Sequence, residues 1–165
     1  MPTNEEILAQ LRKRFPNAIL DVPAGMLDFT VVIDAGALRD VALFLRDEIG
    51  FDYLTDLTAA DWPEKFEVVY HLYGIKRGLG LLTLKVPLAD KANAVVASVV
   101  DIWKSADLQE REVYDLMGIR FDGHPNLKRI MMWEGYQGHP LRKEFENRTF
   151  TYAELEPSRQ ATEDW

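Results

Sequence analysis

The stretch YLTDLTAADWPEKFEVVYHLYGIKRGLGLLTLKV, residues 53–86, decides the fold. It divides into three runs, 53–59, 66–73 and 79–86, each of strand length and rich in Leu, Val, Thr and aromatic residues. Lys76-Arg77-Gly78 reads as a hairpin turn between the second and third. In the middle run Glu67, Val69, His71 and Tyr73 alternate with Val68, Tyr70 and Leu72. Both sets carry apolar residues, which predicts a strand covered on both faces.

The flanking sequence supplies the other layer. Thr3 or Asn4 caps a first helix with Ile7, Leu8, Leu11 and Phe15 at helical spacing, and Pro16-Asn17 stops it. Residues 18–22 and 29–33 read as strands joined by the turn Pro23-Ala24-Gly25. Asp34 caps a second helix through residue 49, with Leu38, Val41, Ala42, Leu45 and Ile49 on one stripe and Gly50 as its left-handed stop. The order α-β-β-α-β-β-β predicts an α+β fold: one mixed sheet of about five strands with helices on one face. Residues 93–103 fit either a short helix or an irregular segment. A further helix spans 107–117, where Asp107 and Glu110 have the form of a capping box, and Gly118 ends it. An extended, turn-rich segment follows. The chain thus divides into an α/β domain (1–104), a helix and charged segment (105–150) and an extended tail (151–165). Phe150, Tyr152, Leu155 and Trp165 make the tail too apolar for a solvated linker alone, and docking on a partner and fraying of the chain end both remain open.

Composition excludes several classes of function. The 165 residues include no cysteine, so disulfides, Cys-ligated zinc and Cys-ligated iron–sulfur clusters are ruled out. A net charge of −8 leaves no basic footprint for nucleic acid. The first twenty residues resemble neither a signal peptide nor a membrane span. No phosphate-binding glycine loop and no GxSxG nucleophile motif is present, and Gly78-Leu79-Gly80 sits in a hairpin where no dinucleotide would bind. His71 reads as a strand residue with a satisfied hydrogen bond.

Two constellations carry what chemistry there is. The first is Glu110-Arg111-Glu112-Val113-Tyr114-Asp115, in which Arg111 and Asp115 are spaced to pair on one helical face. Adjacent helical residues diverge, so Glu110 and Glu112 do not converge as an acid–base pair. A solvated ion-paired face and a partner interface both remain open. The second is the repeated turn Gly123-His124-Pro125 and Gly138-His139-Pro140, each followed by cations: Lys128 and Arg129, then Arg142 and Lys143. Glycine and proline favour rigid turns in which histidine bridges backbone groups or a carboxylate. The rival reading is a free-standing metal enzyme built on His124, His139 and nearby carboxylates.

Residues 105–132, SADLQEREVYDLMGIRFDGHPNLKRIMM, followed by 138–145, GHPLRKEF, resemble the signature of the thirty-kilodalton-type subunit family of NADH–quinone oxidoreductase, respiratory complex I (NDH-1). The residues that carry the likeness are Glu110, Arg111, Glu112, Asp115, Gly118, His124, Pro125, Arg129 and the run from Gly138 through His139, Pro140 and Arg142 to Lys143. Leu108-Gln109 stands where family members often place an aromatic residue, and residues 133–137 also depart from the usual run. The motif recurs in subunits of membrane-bound hydrogenases and photosynthetic NDH-type complexes, so the electron donor stays open. The resemblance implies a cofactor-free subunit, in the form not fused to its quinone-site neighbour, that is an enzyme only as part of the complex. It would lie in the peripheral arm on the cytoplasmic side of the membrane. Its partners would be chiefly the quinone-site subunit and the terminal-cluster subunit, with FMN and the iron–sulfur clusters held by partner subunits. The signature residues would be subunit-interface residues.

Overall fold

The computed structural model describes residues 2–146 and residue 149. Helix α1, Asn4–Arg14, opens with a reciprocal cap: the Thr3 hydroxyl accepts the Glu6 N–H at 3.2 Å while the Glu6 carboxylate accepts the Thr3 N–H at 2.8 Å. Strands β1 (Ile19–Asp21) and β2 (Phe29–Ile33) follow. The single helix expected over 34–49 is instead three geometries in series. A 3-10 turn, Ala35–Ala37, leads into helix α2, Leu38–Phe44, and a wide π turn, Leu45–Ile49, closes it. The turn widens because the N–H groups of Gly50 and Phe51 both bond the Leu45 carbonyl. Gly50 takes a φ of 102°, as a left-handed cap requires. Arg77 then donates to the carbonyls of Glu48 (2.6 Å) and Ile49 (2.8 Å), so the predicted hairpin turn also closes this helix end.

Strands β3 (Tyr53–Asp61), β4 (Phe66–Gly74) and β5 (Leu79–Leu88) confirm the three runs, each slightly longer than its apolar core. The five-stranded sheet runs β1-β2-β5-β4-β3, with β2 parallel to β5 and the other pairs antiparallel. Phe66, Val68, Tyr70 and Leu72 face the same way as their partners Leu88, Val86, Leu84 and Leu82. Against this surface pack Ile7 and Leu11 of α1, Leu38 and Val41 of α2, and Leu45 of the π turn. The expectation that β4 is covered on both faces holds for its first half. Glu67 and Val69 are buried, but they stand outside the core with His71 and Tyr73, which stay half-exposed.

Residues 93–103 are neither helix nor wholly irregular. Strand β6, Val95–Ala97, pairs in parallel with β7, Arg120–Asp122, a contact invisible to local reading because its partner lies beyond another helix. That helix, α3, spans Ala106–Met117, and the capping box expected at its start does not form. Ser105 occupies the cap position without capping; its hydroxyl donates to the Leu54 carbonyl at 2.9 Å. Asp107 lies inside the helix and Glu110 turns to the core. The side-chain oxygen of Gln109 accepts the Leu57 N–H, while its nitrogen donates to the Ser105 carbonyl. Helix α3 therefore closes the β3 edge, an open ladder that would otherwise invite another chain. Ala106, Val113 and Met117 join the main core, which runs without a break from the sheet into α3. Among the described residues no helix is long and apolar enough to cross a membrane.

Gln109→Ala leaves the Leu57 N–H of the sheet edge without its partner. We expect a loss of about 1 kcal/mol in urea unfolding, with faster amide exchange confined to β3.

Candidate functional site

Helix α3 carries a carboxylate on each of two buried faces, and both side chains are 0% exposed. Glu110 stands on the core stripe with Ala106, Val113 and Met117. It accepts the Ser98 hydroxyl at 2.6 Å and the Val99 N–H at 2.7 Å, pinning the bend after β6. Ser98 is held from its other side by Arg39, which donates to the Ser98 carbonyl at 2.6 Å and grips Asp101 with two bonds of 2.8 and 2.7 Å. That grip holds the Asp101 carboxyl down to about 2. Burial pushes the Glu110 carboxyl above the ordinary glutamate value despite its two donors. The same dry surroundings, with the Glu110 charge, raise the Tyr70 hydroxyl well above its usual range.

Asp115 faces the opposite way, into the segment that follows β7. Its Oδ2 accepts three successive backbone N–H groups, from Ile130 (3.0 Å), Met131 (2.7 Å) and Met132 (2.9 Å). Its Oδ1 accepts Arg129 at 2.9 Å. Burial alone would raise this carboxyl; the three amides and the Arg129 charge outweigh it and hold the group below its ordinary value. The expected Arg111–Asp115 pair is therefore corrected. Arg111 sits on the helix flank and donates through Nε to the Lys128 carbonyl at 3.1 Å. An arginine from the following segment reaches Asp115 instead, because the carboxylate points away from solvent. The reading of this helix as a solvated ion-paired face fails for Glu110 and Asp115 alike.

The second Gly-His-Pro block closes the C-terminal end of α3. The last four carbonyls of a helix lack intrahelical donors. Here the Gly118 N–H bonds the Tyr114 carbonyl at 2.9 Å. His139 Nδ1 donates to the Asp115 carbonyl at 2.9 Å, the Leu141 N–H to the Leu116 carbonyl at 3.0 Å, and Arg142 Nε to the Met117 carbonyl at 2.7 Å. Burial and the flanking arginines hold the His139 ring below its ordinary pKa, which keeps it in the neutral form that donates from Nδ1. Gly118 has a φ of 72°, and a Cβ there would strike the His139 ring. Pro140 sits half-buried between these two donors.

Further ties fix the segment to the sheet. The Lys143 N–H donates to Asp61 Oδ2 at 2.9 Å, and Lys91 meets Asp61 Oδ1 at 2.6 Å. Burial opposes the Asp61 charge, but the two lysines hold its carboxyl below the ordinary value. The Lys143 ammonium lies 5.8 Å over the Trp62 ring and Arg142 lies 5.1 Å over Phe66. Trp133, Tyr136 and Phe145 pack edge-on and stacked. In the first Gly-His-Pro turn, His124 Nδ1 accepts the Asn126 N–H at 3.0 Å, placing the ring proton on Nε2 against the Asp107 carbonyl at 3.1 Å. Pro125 lines a cleft with Arg39, Ser98 and Asp122.

Of the signature residues, then, Glu110, Asp115, Gly118, His124, Arg129, His139 and Arg142 are brought together by contacts inside the chain. His124 bridges two backbone groups, as the turn reading expects, and His139 bonds one; among the described residues no three metal-binding side chains converge. What the arrangement displays outward is different: Glu112 and the exposed apolar side chains of Leu108, Met131 and Leu141, with Arg111 half-buried. Sequence reasoning missed Ser98, Gln109 and Asp61. Gln109 and Asp61 accept backbone N–H groups distant in sequence and Ser98 donates to the Glu110 carboxylate, and no local pattern announces such contacts.

The α+β sheet with its signature helix has a counterpart among solved structures. The fold matches, with a TM-score of 0.72, 25% identity and coverage of 94% of this chain and 91% of the other, a chain of the membrane-bound sulfane sulfur reductase, an archaeal respiratory membrane complex. Residues 31–151 match the family model described as respiratory-chain NADH dehydrogenase, 30 Kd subunit, and the chain belongs to that family. Among its relatives is an NADH-quinone oxidoreductase subunit of Moorella thermoacetica, 40% identical over 147 residues, which span 88% of this chain and 97% of the relative. The corresponding protein of Rhodobacter capsulatus is 36% identical over 156 residues, covering 92% and 76% respectively.

Asp115→Ala strands Arg129 and three amides, and we expect it to cost about 3–5 kcal/mol in chemical denaturation. The pH dependence has two limbs. Asp115 and Asp61, with lowered folded values, stabilise fully above the unfolded carboxyl range, and that stabilisation is lost as pH falls through their folded values. Glu110, with a raised value, stabilises fully below the ordinary glutamate range, and its contribution is lost as pH rises through its folded value. Glu110→Gln should therefore abolish the gain in stability on mild acidification from neutral pH while leaving acid unfolding in place.

Proposed function

We propose that this chain is a cofactor-free scaffold subunit in the peripheral arm of a proton-translocating NADH–quinone oxidoreductase. It works only as part of the complex, on the cytoplasmic side of the membrane. It packs against the quinone-site and terminal-cluster subunits, in an arm that passes electrons from NADH through FMN and iron–sulfur clusters to quinone. The observation that carries the reading is the division of labour in the signature. Its buried charges fix the segment after β7, residues 123–145, as a strap on α3, and strap and helix together leave Leu108, Met131, Leu141 and Glu112 exposed, with Arg111 half-buried. Apolar anchors beside a few unspent charges are the make-up of a docking patch. A chain with no cysteine leaves cluster-borne electron transfer to its neighbours.

A second reading has a specific observation behind it. The likeness to a chain of the membrane-bound sulfane sulfur reductase, an archaeal respiratory membrane complex not named for NADH, favours an equivalent scaffold in a complex with another electron donor, for which we take a membrane-bound hydrogenase or a ferredoxin-dependent NDH-type complex as the case to test. Mass spectrometry of the complex recovered with the tagged chain separates the two: NADH- and FMN-binding subunits support the first, a nickel-iron large subunit the second. The free-standing metal enzyme is the weaker account, since the rings of His124 and His139 are engaged by backbone groups.

The docking patch is tested with Met131→Asp, Leu141→Asp and Arg111→Ala. The exposed substitutions Met131→Asp and Leu141→Asp should leave the isolated chain within about 0.5 kcal/mol of the parent in stability, while Arg111→Ala, which gives up the bond to the Lys128 carbonyl, should cost about 1 kcal/mol. Recovery of partner subunits should fall about tenfold or more. Normal recovery with all three would contradict this patch.

A further inference from the structure

The second Gly-His-Pro turn sets its ring where one proton changes the balance of contacts. A backbone carbonyl can only accept, so His139 Nδ1, 2.9 Å from the Asp115 carbonyl, carries the ring hydrogen and Nε2 is left as a lone pair. That lone pair lies beside a guanidinium. A Cβ on Gly118 would stand 2.5 Å from His139 Nε2 and 2.7 Å from Arg142 Nη2, so the two nitrogens crowd one point over the helix end. Arg142 is not free to turn away. Its Nε donates to the Met117 carbonyl at 2.7 Å, and its Nη1 lies 3.7 Å from Glu144. The neutral ring thus meets the cation with a lone pair. A protonated ring would meet it with a second cationic N–H.

Among the described residues the charged groups that face this ring are Arg142 and Arg129 of the strap and Asp115 of α3. The Asp115 carboxylate is already balanced by Arg129 and three amides. Burial and the two arginines outweigh the Asp115 carbonyl and carboxylate, which favour a charged ring, and hold the ring below its ordinary pKa. The run that the ring fastens carries part of the docking patch. Leu141, two residues on, is exposed while its N–H is bonded to the Leu116 carbonyl at 3.0 Å. We propose that His139 is a pH-sensitive latch: with a neutral ring it fastens residues 138–143 to the end of α3 and sets Leu141 outward, and a proton on the ring frees that run and loosens the patch. The consequence for docking rests on the reading of the chain as a subunit of a larger complex; the latch itself does not.

The test is native-state hydrogen exchange of the full chain, followed at the Leu141 amide from neutral to mildly acid pH. A freed ring takes its proton near the ordinary histidine value, about 6.5, and the latched ring only below it. The opening constant of Leu141 should therefore rise by up to about tenfold per pH unit below that value, until the latched ring is itself protonated. Other titrations do not imitate this. Asp115 and Asp61, with lowered values, act at more acid pH, and Glu110, on the core stripe, shifts stability the opposite way. His139→Asn keeps an N–H donor near the place of Nδ1 and cannot gain a proton, so its Leu141 opening should not change over this range. Ring NMR of the unaltered chain needs no variant, and His139 should titrate below about 6.5. Three results overturn the latch: a Leu141 opening constant that is flat with pH in the unaltered chain, an equal rise in His139→Asn, or a His139 ring that titrates at or above the ordinary value. Recovery of partner subunits with the tagged chain should fall over the same range and hold steady in His139→Asn; an equal fall in both overturns the link to docking. Failure of the docking reading has a separate mark, an unchanged complex when Met131 and Leu141 are replaced.

Discussion

A carboxylate with no access to water must find its donors in the protein, and Asp115 finds four of them in one short segment. Arg129 and the amides of Ile130, Met131 and Met132 converge on it. This fixes a stretch that has no regular structure to fix itself. A run of three amides aimed at one oxygen is an anion nest, and here the anion is supplied by the neighbouring helix. The same helix then ends in carbonyls that His139, Leu141 and Arg142 satisfy. Two separate blocks of sequence thus depend on one helix, and the helix depends on them for its own closure.

The charge-dense signature is therefore mostly internal. Glu110 fastens α3 to the bend after β6, Asp115 gathers the strap, and Asp61 ties its far end to the sheet. Burying ionised groups costs several kcal/mol each unless donors converge on them, so such a site yields a defined shape more than added stability. In the proposed docking role it is this shape that counts. Met131 and Leu141 are held outward by backbone bonds on the residues that carry them, so the patch is preorganised before any partner arrives.

The sheet and its two covering helices were legible in sequence because their signals are local. Alternation marked the strands, the 3.6 spacing of Leu38, Val41, Ala42 and Leu45 marked α2, and Gly50 and Gly118 marked the helix ends. The motif also pointed to the family. What stayed hidden was every contact between a side chain and a distant backbone group. Arg111 and Asp115 looked paired because helical spacing allows it, yet the strap offered Asp115 better donors. Asp107 and Glu110 looked like a cap, yet Glu110 was needed at Ser98 and Val99. Gln109, a departure from the family pattern, proved to close the β3 edge. The pairing of β6 with β7 was out of reach for the same reason, since parallel partners separated by a helix leave no local trace. Residues 150–165, whose sequence leaves docking and fraying both open, lie outside the described residues.

The central claim is that the Asp115 carboxylate makes the strap and the end of α3 one cooperative unit. Native-state hydrogen exchange tests it most directly, by following the amides of Ile130, Met131, Met132 and Leu141 alongside those of the last turn of α3. The account predicts slow exchange with a shared opening free energy for both groups, which rises and falls together as denaturant is varied. Fast exchange of the Ile130 to Met132 amides, as in an open loop, beside a protected α3 would contradict it.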